Sequence, residues 1–461
     1  MDSINISRRM LLGSGLLLAA GGAAVGLRNF WKKPLRLDAF GPLRPVSDET
    51  TGLDLIRLPD GFRYLSFGWT GDALKDGTPT PKDHDGMGVV AQHDSVLTIV
   101  RNHEISTASG PMAKLGNTYD ALAGGGTTTL NFDVAEGKWL DAQASLTGTF
   151  ANCAGGVTPW GSWLSCEEAV IDANGYLGPW FENRIVRLEK LHGYVFEVPA
   201  DRESSAIPLR ALGRFRHEAV AIDPETGIVY QTEDNRPRSG FYRFVPDKNK
   251  KLQSGRLQMM AVEGITDLRK NVPRDTWMPV DWVEIEHPAL GHNPGTLDSA
   301  GVFTQGSRRG GTTFARPEGC WFSDGIVYFS DTVGGDARCG QIFAYDPKEQ
   351  QITLLFESPG PKTMSHPDNI TLSPNGGMIV CEDRPRPERQ RLLGLTAAGQ
   401  LTSVAENNME LTGEVNGLIG DYRQSEWAGA CFSADGEWLF VNIQIPGTTL
   451  AINGPWSAGG L

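Results

Sequence analysis

Positive charge is in short supply. Forty-two lysines and arginines stand against 55 acidic residues, a formal charge of −13 over 461 residues. That balance excludes the basic surface that nucleic-acid binding requires. Also missing are a Walker A loop, a Gly-x-Ser-x-Gly elbow and a His-Glu-x-x-His helix. The usual phosphate cradle, serine nucleophile and helical zinc site are therefore not the source of any chemistry here. Beyond the N-terminus no long stretch carries a helical apolar period, which leaves strands as the building material. Cysteines number six. Cys166, Cys320, Cys381 and Cys431 lie inside apolar runs, where a free thiol behaves as a small hydrophobe.

What the chain does have is one two-part phrase written six times. The first parts read Asp83-His84-Asp85-Gly86, Asn152-Cys153-Ala154-Gly155-Gly156, Arg216-His217-Glu218-Ala219, Arg316-Pro317-Glu318-Gly319, His366-Pro367-Asp368-Asn369 and Glu426-Trp427-Ala428-Gly429. Some 13 to 19 residues later each is answered by an acidic or amide residue: Glu104, Glu168, Glu233-Asp234, Asp331, Glu382-Asp383 and Asn442. That spacing fits a β-hairpin of two strands of about 5–6 residues with both ends on one side. Further strand runs, such as Thr128–Phe132, Gly193–Val198, Gly240–Phe244 and Gln341–Tyr345, bring each repeat to about four strands, the content of a propeller blade.

The predicted fold is therefore all-β, a six-bladed β-propeller with loop insertions, spanning residues 51–461 as one domain. A β-helix fits less well because its repeats are shorter and more uniform. The segment Trp277 to His292, inside the longest gap, reads as a lid or loop over one face. The Arg384–Arg391 stretch reads as a solvated, proline-rich loop. At the N-terminus Arg8-Arg9 precedes an apolar Gly/Ala-rich run. This reads as a twin-arginine export signal over residues 1–27, followed by a linker over 28–50. The expected location is periplasmic or extracellular, with the Tat export machinery as a partner and membrane contact only through an uncleaved signal. The mature protein is expected to be a monomer.

Returning six strand pairs to one side crowds carboxylates together, and crowded carboxylates call for cations. Glu168, Glu218, Glu233, Glu318, Asp331 and Glu382 are the candidate oxygen ligands, with Asp85, Glu104, Asp234 and Asp383 as a second set. Neighbours on a strand face opposite ways, so one member of each tandem pair (Glu167-Glu168, Glu233-Asp234, Glu382-Asp383) should reach the mouth. Hard oxygen donors suit Ca²⁺ or Mg²⁺. Cys153 stands apart from the other cysteines, among Asn and Gly at a strand mouth. A thiolate in an oxygen-rich site implies a transition metal, Fe or Zn; the competing reading is a buried inert thiol. Arg316 beside such a cluster is placed to grip a phosphate through two donors, or else simply pairs with Glu318. His103 and His217 read as ligands, proton donors or satisfied structural histidines.

Asn152-Cys153-Ala154-Gly155-Gly156-Val157-Thr158-Pro159-Trp160-Gly161-Ser162-Trp163-Leu164-Ser165-Cys166-Glu167-Glu168 closely resembles the signature of the PhoX-type alkaline phosphatases. The resemblance runs on through Arg216-His217-Glu218-Ala219, Thr232-Glu233-Asp234-Asn235, Arg316-Pro317-Glu318 and Cys381-Glu382-Asp383. It implies a Tat-exported six-bladed propeller hydrolysing phosphomonoesters at an iron and calcium centre in the channel mouth. Cys153 would then ligate Fe³⁺, Glu168, Glu218, Glu233 and Glu318 would ligate iron and Ca²⁺, and Arg316 would hold the phosphate. The chain departs from the family where Gly319 follows Glu318 and where Glu426-Trp427-Ala428-Gly429 opens the last repeat, which is expected to contribute little. Two other functions compete: a calcium-dependent propeller hydrolase of the lactonase or phosphotriesterase kind, and a non-catalytic metal-binding propeller.

Overall fold

Alternating apolar residues and two-residue turns become antiparallel sheets throughout the chain. The computed structural model describes residues 39–175, 185–397 and 399–461; the export signal read over residues 1–27 lies outside the described residues. The first sheet joins His84–His93, Val96–His103, Gly125–Asp133 and Lys138–Thr149 in chain order. Its opening turn, Asp94-Ser95, holds Asp94 at φ 52°, a left-handed conformation that Asp tolerates in tight hairpins. Asn152–Val157, Ser162–Glu167 and Val195–Pro199 form the second sheet.

The third repeat runs His217–Ile222, Val229–Glu233, Phe241–Lys248 and Lys251–Val262, and the fourth Pro317–Ser323, Ile326–Asp331, Gln341–Asp346 and Gln351–Glu357. Between them lies Met278–Glu284, which fuses both into a nine-stranded sheet. Here the expected lid is corrected. Met-Pro-Val-Asp-Trp-Val-Glu alternates in period two, burying Met278 and Val280. It pairs with Lys251–Val262 along one edge and with Gln351–Ile352 at its start.

Pro367–Leu372, Met378–Glu382, Arg391–Leu395 and Leu401–Asn407 follow, extended by Ile56–Leu58 and Arg44–Val46. Part of the stretch read as linker, Arg44–Val46, is thus a strand. The last sheet, Trp427–Phe432, Trp438–Ile443 and Thr448–Asn453, takes its outer strand Arg63–Phe67 from the far end of the chain. A two-stranded hairpin, Glu410–Val415 with Leu418–Asp421, stands apart from these sheets.

The first strands of the repeats pack against one another in cyclic order, His84–His93 touching both Asn152–Val157 and Trp427–Phe432. The architecture is all-β and propeller-like. The close approach of these strands depends on glycine. A Cβ on Gly86 would lie 2.5 Å from the Ala154 Cα, and one on Gly429 would lie 2.6 Å from the Asp85 carbonyl oxygen. The apolar core sits between neighbouring sheets. Phe241 of the third repeat stacks on Phe329 of the fourth at 4.3 Å, and Phe329 on Phe343 at 5.2 Å. Phe440 and Ala451 of the last sheet pack with Leu97, Ile99 and Phe132 of the first. Among the described residues no helix is long and apolar enough to cross a membrane.

Candidate functional site

Each repeat carries the same irregularity at the same place. His84 pairs with His103, Asn152 with Glu167, His217 with Glu233, Pro317 with Asp331 and Pro367 with Glu382. The next paired residues are three further on the first strand and only two back on the second, as in Gly155 opposite Ser165. The last repeat makes the same shift after Ala428. This is a β-bulge, which adds one residue and re-aims the side chains beside it. The side chains of Cys153, Glu218, Glu318 and Asp368, which immediately follow the first paired residue, line one cavity, and Asp85 lies against them.

A backbone buckle brings two more positions to the same place. The residue after each second strand donates its N–H to the carbonyl of the residue before the first strand. The pairs are Glu104 to Asp83, Glu168 to Ala151, Asp234 to Arg216, Thr332 to Arg316, Asp383 to His366 and Gln444 to Glu426, at 2.8–3.2 Å. Side chains from the preceding repeat then hold the bulged backbone. Asn102 donates to the Cys153 carbonyl at 2.9 Å, Thr232 to Glu318 at 2.6 Å, Ser330 to Asp368 at 2.7 Å and Asn442 to Asp85 at 2.5 Å. Asn442, read as the acidic-position residue of its repeat, is therefore a bridge between sheets.

The resulting cavity measures about 170 Å³ and is lined by eight carboxylates, one thiol and two guanidiniums. The Cys153 thiol donates to Glu218 Oε1 at 3.0 Å. Arg216 pairs with Glu168, and Arg316 pairs with both Asp234 and Glu318. Gln444 reaches Glu104 at 2.9 Å. Burial, reinforced by neighbouring carboxylates, pushes Glu104, Glu218, Asp368 and Glu426 well above the usual carboxylate range. Burial raises Asp85 to about 7, and raises Glu168 to about 7 against the pull of Arg216. The thiol of Cys153 is pushed up by burial and the surrounding acids. Asp234 is the exception: burial works to raise it, yet Arg316 holds it at about 2. A site that disfavours its own anions in this way is short of positive charge.

Three sets of ligand atoms lie within 4.8 Å of one another: Asp85, Glu104 and Cys153; Cys153, Glu168 and Glu218; and Asp368, Asp383 and Glu426. The first two share the thiol, and the third is all oxygen.

A family model, "Alkaline phosphatase PhoX", matches residues 39–145 and 140–447. The chain belongs to the PhoX alkaline phosphatase family. It is accordingly a phosphoester hydrolase by family. Among solved structures it is similar to the Pseudomonas fluorescens PhoX determined with vanadate, a transition-state analogue. The two share 19% identity over 93% of this chain and 99% of that one, with a TM-score of 0.64. The gluconolactonase XC5397 from Xanthomonas campestris shares 12% identity over 92% of this chain and 99% of that one, at a TM-score of 0.46. No curated protein matches the chain.

Of the residues picked out from the sequence of this PhoX-family chain, Asp85, Glu104, Cys153, Glu168, Glu218, Asp234, Arg316, Glu318 and Asp383 come together. Glu233, Asp331 and Glu382 do not line the cavity. Glu233 accepts from the Gly240 N–H at 2.8 Å and the Tyr242 hydroxyl at 2.7 Å. Asp331 accepts from the backbone of Ala315 and Arg316 at 2.9 and 2.6 Å, holding Arg316 at the cavity wall. Glu382 is forked by Arg391 at 2.5 and 2.8 Å and capped by the Ser365 N–H. Each ends its second strand and turns away from the mouth. In every tandem pair the second member enters the cavity, because the buckle bond is made by that residue.

Asp368, Arg216 and Glu426 were passed over. Asp368 occupies the same motif place as Glu218 and Glu318, and Arg216 the place of Arg316, so aligning the six phrases position by position reveals both. Glu426 corrects the expectation that the last repeat contributes little, although that repeat has Ala428 where the others have a ligand-type residue. His103 is buried between the Lys82 carbonyl at 2.9 Å and Thr128 at 3.0 Å, and His217 bonds the Gly213 carbonyl at 3.2 Å. Burial pushes both down, which fits structural, neutral imidazoles. All six cysteines are free thiols.

Proposed function

We propose that this PhoX-family chain is an exported, six-bladed propeller phosphatase that hydrolyses phosphomonoesters in the mouth of its central channel, with residues 51–461 as its one catalytic domain. The observation that carries the reading is the cavity lining itself: eight carboxylates and a thiol around two guanidiniums in about 170 Å³. Six first strands in cyclic contact support the blade count. The twin-arginine pair Arg8-Arg9 supports Tat export to the periplasm or beyond.

The donor chemistry fits the iron and calcium that the family resemblance implies. Cys153, with Asp85, Glu104, Glu168 and Glu218 around it, would hold Fe³⁺, since a thiolate selects a transition metal. The all-oxygen set of Asp368, Asp383 and Glu426, with Glu318 beside it, suits Ca²⁺. When bound, such ions neutralise the phosphate and lower the pKa of a coordinated water.

The chain's own part is to place charge and keep it still. Arg316 is fixed by Asp234 through its side chain and by Asp331 through its backbone. A guanidinium so held binds equatorial phosphate oxygens without reorganising as their charge grows. Arg216, held by Glu168, offers a second cation in the cavity lining. The net reaction breaks one P–O ester bond; water supplies oxygen to phosphorus and a proton to the leaving oxygen. Among the described residues lining the cavity no serine or threonine offers a nucleophile.

Elemental analysis of protein purified through its native export route, paired with p-nitrophenyl phosphate turnover, tests the reading. Iron and calcium together with chelator-sensitive turnover are expected. Metals bound without hydrolysis of any phosphomonoester would overturn the catalytic assignment.

A further inference from the structure

Beside the acidic cavity opens a larger one, of about 940 Å³, with the opposite charge. Arg236, Arg269, Lys270, Arg338 and His366 line it. The single carboxylate among the described lining residues is Asp267, and Arg269 already clasps it at 2.7–3.2 Å. In a chain of net charge −13 this is a local reversal of sign.

The two cavities share a wall. Ala315 of the larger precedes Arg316 of the smaller, Arg236 follows Asp234 by two residues, and His366 precedes Asp368 by two. Arg236 and His366 each feel the charges of Arg316 and Asp383. Whatever the reacting phosphate is esterified to must lie outside the small cavity, and this is the adjoining space. An uncharged alcohol makes no use of four cationic side chains there. Their mutual repulsion is relieved by an anion, and guanidiniums suit phosphate oxygens by geometry. The volume lies in the range of small-molecule sites, about 300–1,000 Å³.

Resting on the phosphatase reading above, we propose that the basic pocket takes a second, non-reacting phosphate, so that the preferred substrates are esters bearing two or more phosphate groups. Lys270 and Arg338, both exposed on loops, grip that phosphate, while Arg236 bridges the two cavities.

The test compares matched esters on the iron- and calcium-loaded full chain: adenosine 5′-monophosphate against adenosine 3′,5′-bisphosphate, and fructose 6-phosphate against the 1,6-bisphosphate. The wild type should favour the multiply phosphorylated member of at least one pair about tenfold or more in kcat/KM, carried by KM. The first pair reads a second phosphate across one ribose ring and the second a phosphate at the far end of a hexose. In the Lys270→Glu/Arg338→Glu variant the preference ratio should collapse. An unchanged ratio, or an equal loss on both members, overturns the pocket's role. Calorimetry with methylenebisphosphonate, whose P–C–P bridge is not hydrolysed, reads the pocket without turnover: binding should weaken about tenfold or more in the variant, and equal affinities would overturn the proposal. Absence of turnover on every ester by loaded wild type would instead sink the phosphatase reading, leaving the methylenebisphosphonate result to judge the pocket alone.

Discussion

Arg316 and Asp234 meet as two parallel forks, Nε to Oδ1 at 2.7 Å and Nη2 to Oδ2 at 2.6 Å, with the side chains 9% and 2% exposed. They come from different repeats, 82 residues apart. One cation is thereby locked among carboxylates, and the same lock keeps Asp234 ionised at about 2 despite its burial. The pair is a positioning device as much as an ion pair, since it fixes which way the guanidinium plane faces.

Arg316→Ala should therefore lower kcat by roughly 10²–10³-fold, the usual cost of losing one preorganised donor to developing charge. Iron and calcium should remain at wild-type stoichiometry by elemental analysis. Loss of metal in parallel with activity would recast Arg316 as a scaffold for the cluster.

The tandem acids should separate into two phenotypes. Glu382→Gln breaks the buried fork with Arg391 and should cost about 3 kcal/mol of stability, the scale for orphaning one partner of a buried pair. Asp383→Asn should leave the melting temperature of the metal-free protein nearly unchanged and reduce bound calcium. Melting curves in chelator, set beside calcium titrations, distinguish the two positions. Calcium loss in Glu382→Gln alone would place the ligand on the other member of the pair.

Cys153→Ala should abolish the iron colour while calcium binding at Asp368, Asp383 and Glu426 persists. Absorbance of the purified protein and elemental analysis read this directly. Full activity and colour in the variant would return Cys153 to the standing of an inert thiol.

The metal-free protein should lose stability as pH rises. Asp85 and Glu168 titrate near 7 when folded, raised first by burial, against about 4 in an unfolded chain. The folded state thus binds more protons between about pH 4 and 7, and stability falls through that window. Metal binding displaces those protons, so the holo protein should gain most over the apo form at alkaline pH. Thermal melts at pH 5.5 and 8, with and without chelator, test the sign; an apo protein more stable at pH 8 would contradict it.

The buried triad Asp120–His192–Glu167 should act at higher pH by a different route. Burial works to lower His192, yet Glu167 and Asp120 raise it to about 9, with Glu167 at 2.6 Å and Asp120 at 3.3 Å. Its stabilisation is present below the unfolded value near 6.5 and lost as pH passes 9. His192→Gln should destabilise the fold by about 3 kcal/mol at pH 7, leaving two buried carboxylates without their cation. Chemical denaturation of the metal-loaded protein measures it.

Much of this molecule was legible in its residues alone. Period-two runs, turn residues and the sixfold phrase dictate strands and hairpins because side-chain alternation and turn chemistry are local. The signature around Cys153 to Glu168 marks the family, and the carboxylates at strand ends mark where charge collects. Other decisions needed distant partners. Whether Glu382 or Asp383 reaches the mouth depends on a bond from Asp383 to His366, seventeen positions earlier in the chain's numbering but adjacent in space. Alternation says that two neighbours face opposite ways and is silent on which faces in.

The strand Met278–Glu284 shows the same boundary: its alternation was readable, but its place between two sheets was not. Arg63–Phe67 completes the last sheet nearly 400 residues away in sequence, with Leu65 opposite Ala451. The basic pocket exists only because the loops bearing Arg236, Lys270 and Arg338 converge beside Arg316. Sequence by itself determined the strands, the family and the store of ligand-type side chains, all set by neighbours along the chain. Tertiary structure alone decided the bulge-directed geometry, the inward member of each acidic pair and the sign of charge beside the cavity, because each follows from contacts between residues that lie apart in the chain and meet only when the strands and loops have packed.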